Sequence, residues 1–126
     1  MSDDTAWLDA TGQADLVRRK VVSAAELVDE AIGRIEKLNP ELNAVIHELF
    51  NRARAEASEE PGPLPDGPFR GVPFLLKDLG AELAGTPFNE GLDFSGDYHS
   101  TVTQELTKRY IRAGFVICGK TNTPEL

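Results

Sequence analysis

Leu27, Val28, Ala31, Ile32, Ile35 and Leu38 recur every three or four positions and predict an amphipathic helix with one apolar face. Its start is marked by Ser23-Ala-Ala-Glu26, a capping-box pattern. In that pattern the serine hydroxyl accepts the N–H three residues on, and the glutamate reaches back to the serine's own N–H. Asn39-Pro40 is the predicted stop, because proline drives its predecessor out of the α region. A shorter helix is expected over 13–20 with Leu16 and Val17 inward, and Trp7 is expected to anchor it. Residues 43–49 suit a short strand, and 50–59, rich in Ala, Arg and Glu, suit a further helix.

The pattern then changes. Residues 61–68 hold four prolines in eight positions, too rigid and too poor in donors for a helix or inner strand, and read as a surface connector. Val72-Pro-Phe-Leu-Leu76 is a short apolar run bounded by Gly71 and the charged pair Lys77-Asp78. Such a run suits a strand of a parallel sheet buried on both faces, with Pro73 near its start where it disturbs the ladder least. Residues 80–100 lack periodicity and read as a long loop, a kind of segment that often carries function.

Thr101-Val-Thr-Gln104 can cap a helix with Val102, Leu106, Tyr110 and Ile111 inward, and Gly114 suits its C-terminal stop. Phe115-Val-Ile-Cys118 follows as a buried strand, with Gly119-Lys-Thr-Asn122 as the loop at its end. Strand, helix, strand in this order predicts a βαβ crossover, hence an α/β fold with a mainly parallel sheet.

Composition narrows the function classes. The 126 residues are 40% hydrophobic and 27% charged, the profile of one ordinary globular domain. A net charge of −8 argues against a nucleic-acid surface, which needs a basic stripe to neutralise phosphates. No apolar run approaches the ~20 residues of a membrane span. The first residues lack a signal peptide's basic and apolar regions, so a cytoplasmic setting is expected. A single cysteine, Cys118, cannot form an internal disulfide, and with two histidines a zinc site is not expected.

Two lysines invite chemistry. Gly114-Phe-Val-Ile-Cys-Gly-Lys-Thr121 matches the phosphate-binding pattern G-x-x-x-x-G-K-[ST] letter for letter. A phosphate cradle, however, needs a strand before the first glycine and an exposed turn after it, whereas here a helix precedes and the intervening residues are apolar. A core strand ending in a loop is the expected reading, with nucleotide binding as its alternative. Lys77 ends the run that begins at Val72, and the carboxyl ends of strands in open parallel sheets are where ligands bind. Period-two alternation puts Leu75 and Lys77 on one face, and Leu76 and Asp78 on the other, so Lys77 and Asp78 should not pair. In a closed pocket, desolvation would favour the neutral amine of Lys77 and make it a proton shuttle; the alternative is a surface lysine at a strand end.

The other polar residues offer less. His47 and His99 are isolated, Asp93, Asp97 and His99 share a loop without a fixed geometry, and Cys118 suits a core position better than a nucleophile.

Gly71-Val-Pro-Phe-Leu-Leu-Lys-Asp-Leu79, followed by Ala113-Gly-Phe-Val-Ile-Cys-Gly-Lys-Thr-Asn-Thr-Pro-Glu-Leu126, resembles the amidase signature family. The Ser23 helix ending in Leu38-Asn-Pro40 and the interval between the two blocks fit as well, so the resemblance runs from about Trp7 onward. It implies the N-terminal portion of an α/β/α sandwich around a mixed, mainly parallel sheet, and an amide-bond hydrolase without cofactor or metal. The family works through a Ser–cis-Ser–Lys triad, and Lys77 matches its lysine. The Gly/Ser-rich signature that supplies both serines and the oxyanion hole is expected beyond Leu126; Ser95 and Ser100 lie outside that motif. Residues 1–126 are therefore expected to form an incomplete domain, inactive alone, with the flank of its sheet exposed.

The resemblance is nearest to the branch that cleaves linear and cyclic carboxamides. It implies a small-molecule amide substrate, no nucleic acid and no membrane, and leaves a homodimer open. The alternative within the family is an A-type subunit of a transamidating complex acting on charged tRNA. The loop Gly119–Asn122 is then the family's strand-end loop, from which Asn122 is expected to brace the site.

Overall fold

The computed structural model describes residues 3–58 and 63–126. A 3-10 turn at Asp3–Trp7 leads into α1 (Ala10–Arg18), α2 (Ala24–Leu42), β1 (Val45–Glu48), α3 (Phe50–Ala57) and β2 (Pro73–Lys77). A 3-10 turn at Asp93–Ser95, α4 (Glu105–Arg112) and β3 (Val116–Thr121) complete the order. Pro61 and Gly62, the start of the predicted connector, lie outside the described residues.

The strands pair in the order β1-β3-β2, with β3 antiparallel to β1 and parallel to β2. The predicted βαβ unit is thus β2–α4–β3, and the sheet is mixed, with one pairing of each kind. Helices cover both faces. On one face, Ala24, Val28 and Ile32 of α2 and Phe50, Ala53 and Ala57 of α3 pack against Val116 and Cys118. On the other, Leu76 and Ile117 pack with Ala81 and Leu83 of the long loop and with Tyr110 and Ile111 of α4.

The capping box forms as predicted: Ser23 Oγ accepts from the Glu26 N–H at 3.1 Å, and the Glu26 carboxylate accepts from the Ser23 N–H at 3.0 Å. The predicted stop is corrected, since α2 runs through Pro40 to Leu42 and ends at Asn43, in the left-handed region at φ 48°. Proline forfeits a single backbone hydrogen bond, tolerable in a last turn. The Asn39 side chain then sets the direction of the chain: it donates to Val45 O and accepts from the N–H groups of Ala44 and Val45, each at 2.8 Å.

Two expected inward residues of α4 are corrected as well. Val102 and Leu106 are about half exposed, and Thr107, fully buried, lies with Tyr110 and Ile111 on the inward stripe. The helix begins only at Glu105, so Val102 precedes it, and Leu106 falls one residue off the stripe. Trp7 does not anchor α1, being 89% exposed. Thr5 does that work: its hydroxyl donates to Glu30, and its carbonyl accepts from Gln13 Nε2 at 2.9 Å.

Gly114 closes α4 as expected, at φ 99°. A Cβ there would stand 2.4 Å from the Arg70 Cα, because the chain entering β2 passes against it and the Gly71 N–H donates to Gly114 O at 3.0 Å. Gly114→Ala should therefore cost about 2 kcal/mol, read as a lower urea midpoint at unchanged slope.

Candidate active site

Lys77 is the last residue of β2, paired in register with Thr121 of β3, so both parallel strands end together there. Its side chain is exposed and makes no hydrogen bond or ion pair among the described residues. Leu75, two positions earlier on the same face, lines an open apolar cleft of about 480 Å³ together with Ile35, Leu38 and Leu42 of α2. The amine is therefore presented to solvent rather than enclosed, the second of the two surroundings open to it from sequence.

Asp78 goes the other way. It is fully buried, and its N–H donates to Thr121 O at 3.2 Å. The expected absence of a Lys77–Asp78 pair holds, as alternation requires. Asp78 instead meets Lys120, which is also fully buried: Nζ stands 3.0 Å from Asp78 Oδ1 and donates to Pro87 O at 2.7 Å. The ammonium also lies 4.5 Å from the centre of the Phe88 ring. The Asn89 N–H is 3.3 Å from both Asp78 oxygens, and His47 Nε2 is 3.7 Å from Oδ2. His47, expected to be isolated, thus belongs to a charged cluster beneath the tip of β2.

This cluster was not foreseen, because Gly119-Lys-Thr121 is not a loop. These residues continue β3, pairing with Leu75, Leu76 and Lys77 on one side and with Glu48, His47 and Val45 on the other. Gly119 permits the close fit, since a Cβ there would stand 2.8 Å from Val45 Cγ1. Along β2, Phe74 and Leu75 face Ile117 and Gly119, so Cys118 is skipped. That extra residue reverses the alternation of β3 and turns Lys120 onto the face of Ile117 and Leu76. The signal in the sequence was the inward row Leu76, Asp78, which left a carboxylate in search of a buried cation.

The same geometry corrects the phosphate-loop alternative. Residues 116–121 form a strand, and the Lys120 amine is enclosed and engaged by Asp78 and Pro87, so no cradle exists there. Asn122 does not reach toward Lys77; its Nδ2 donates to Asn43 O at 3.2 Å, tying the end of β3 to the turn before β1.

In the long loop, Ser95 Oγ donates to Leu92 O at 2.7 Å, and Ser100 is buried, its backbone bonded to Gly85 and Thr86. His99 Nδ1 contacts Asp97 O at 2.7 Å. Among the described residues, no group of three or more His, Cys, Asp or Glu side chains is placed to hold a metal. None of the described helices is long and apolar enough to cross a membrane.

Cys118 is a core residue, as expected. Burial pushes its thiol up from 9.0 to about 11, so it stays protonated at neutral pH. Ellman's reagent should leave it untouched in the folded protein at pH 8 and titrate it after denaturation. Because the folded value is the raised one, the stabilising contribution of this group is complete below pH 9.0 and is lost as pH rises through about 11.

A family model described as Amidase matches residues 26–126. The chain is 44% identical to the 6-aminohexanoate-cyclic-dimer hydrolase of Paenarthrobacter ureafaciens, over all of this chain and 25% of that protein. It is 42% identical to the lipoamidase of Enterococcus faecalis, over 90% of this chain and 15% of that protein. A solved structure of 6-aminohexanoate cyclic dimer hydrolase with substrate superposes at a TM-score of 0.82, with 44% identity, covering 94% of this chain and 24% of that one. A bacterial aryl acylamidase superposes at 0.77 with 28% identity, covering 94% and 26%. The chain spans about a quarter of the length of the cyclic-dimer hydrolases it matches.

Proposed function

We propose, from the premise that this chain belongs to the amidase family, that it supplies the lysine of an amide-hydrolysing site completed by residues outside these 126. One observation carries the proposal: Lys77 stands at the carboxyl end of a parallel strand with its amine unengaged among the described residues, while its neighbour Asp78 is buried on the opposite face.

The chemistry follows from that placement. A serine hydroxyl becomes an effective nucleophile only when a neighbouring base takes its proton, and a neutral lysine can be that base. In the family's triad the nucleophilic serine attacks the amide carbon as its proton passes through the second serine to the amine. Lys77, now an ammonium, returns the proton to the departing nitrogen as the C–N bond breaks. Water then attacks the acyl-serine, giving up a proton along the same route, and releases the carboxylic acid.

Linear and cyclic carboxamides are the proposed substrates, in line with the names of the relatives at 42–44% identity. Those names describe hydrolases, which favours hydrolysis over transamidation on tRNA. A cytoplasmic setting belongs to the same proposal. The full-length protein carrying these residues should release amine from a linear or cyclic aminohexanoate amide, while the 126-residue chain alone should not. No release by the full-length protein from a panel of such amides overturns the proposal.

A further inference from the structure

The pair of Asp78 and Lys120 is an unusual thing for this sheet to bury. Both side chains are fully enclosed, and enclosing two charges is costly unless they are well paired and further hydrogen-bonded. Here they are. The Lys120 ammonium is held by Asp78 at the tip of β2, by Pro87 O in the long loop and by the face of Phe88. The Asp78 carboxylate is held in turn by the Asn89 N–H. One buried charge pair thus ties together β3, the end of β2 and residues 87–89.

The place of that knot matters. The knot meets β2 at the last register pair of its ladder, Lys77 with Thr121, beyond which the Asp78 N–H still donates to Thr121 O. Lys77 sits between Leu76 and Asp78, and in an extended chain its direction is the opposite of theirs. Leu76 is fixed in the core, and Asp78 is fixed by Lys120. Lys77 must then point outward. Without the charge pair, the tie that runs through Lys120 from β3 to Asp78 and to Pro87 O is gone, and the tip is free to turn about its own axis.

Building on the reading of Lys77 as the base of the amidase site, we propose that Asp78 and Lys120 are its positioning residues. They act by holding the strand tip rather than by exchanging protons with substrate. The bulge at Cys118 is the device that turns Lys120 toward Asp78.

The test uses the full-length protein carrying these residues and the double variant Asp78→Asn/Lys120→Met, which removes both charges and keeps their volume. Since a misplacement of about 1 Å can cost on the order of a hundredfold in rate, kcat should fall ten- to a hundredfold with KM within about twofold. A kcat within threefold of wild type, in a protein where Lys77→Ala abolishes turnover, overturns the positioning role and leaves the reading of Lys77 intact. Full turnover by Lys77→Ala overturns that reading itself. Acetic anhydride labelling of the wild-type protein gives a second measure that needs no variant to fold. Lys120 should stay unmodified until denaturation, and its acetylation at the rate of exposed lysines overturns the inference.

Discussion

Lys77→Ala in the full-length protein should lower kcat for amide hydrolysis by at least about a thousandfold, the scale on which loss of one member of a nucleophile–base system is felt. KM should change little, because the amine is assigned to proton transfer rather than to holding the substrate. Lys77→Arg should be nearly as inactive. A guanidinium does not deprotonate in proteins, so it cannot accept the serine's proton however well it fills the space. Steady-state kinetics on one linear and one cyclic amide check both variants. The fold should be indifferent to either change, since the side chain is exposed and touches no described partner. Equal melting curves alongside the lost rate would separate chemistry from stability, and a Lys77→Arg variant at wild-type rate would remove the lysine as base.

The largest effect on stability is expected at the other lysine. Lys120→Met leaves the Asp78 carboxylate fully buried, with only the Asn89 N–H and the more distant His47 ring to face it. Breaking a buried pair by removing one partner costs about 3–5 kcal/mol, since the remaining charge is uncompensated. Adding Asp78→Asn should recover most of that loss. The neutral amide oxygen still accepts the Asn89 N–H, and no charge remains to be solvated. Urea unfolding of the wild type, the single variant and the double variant checks both statements, with an unchanged slope as the condition for comparing midpoints. A single variant that loses less than about 1 kcal/mol would show that water reaches Asp78 and that the pair is not sealed.

The local elements were readable because local physics decides them. The capping box, the apolar stripe of α2, the glycine closing α4 and the alternation separating Lys77 from Asp78 depend on residues a few positions apart, and each appears in the structure. Residues 71–79 and 113–126 pointed to the family for the same reason, being contiguous. The end of α2 was misjudged because Asn39, through bonds to Ala44 and Val45, stabilises a last turn containing Pro40.

Lys120 marks the boundary between the two kinds of information. Taken in sequence order, Gly119-Lys-Thr121 looks like a turn after a strand, and its lysine looks like a surface or phosphate-binding residue. Only pairing with strands on both sides makes it part of β3, and only the skipped residue at Cys118 decides which face it occupies. Its partners Asp78 and Pro87 lie 42 and 33 positions away in the chain, brought close by the crossover through α4 and the fold of the long loop. The sequence by itself determined where the strand carrying Lys77 ends and that Lys77 and Asp78 face opposite ways. The tertiary structure alone decided what holds that strand end, because a one-residue shift in register reverses a side chain's direction and no local pattern records it.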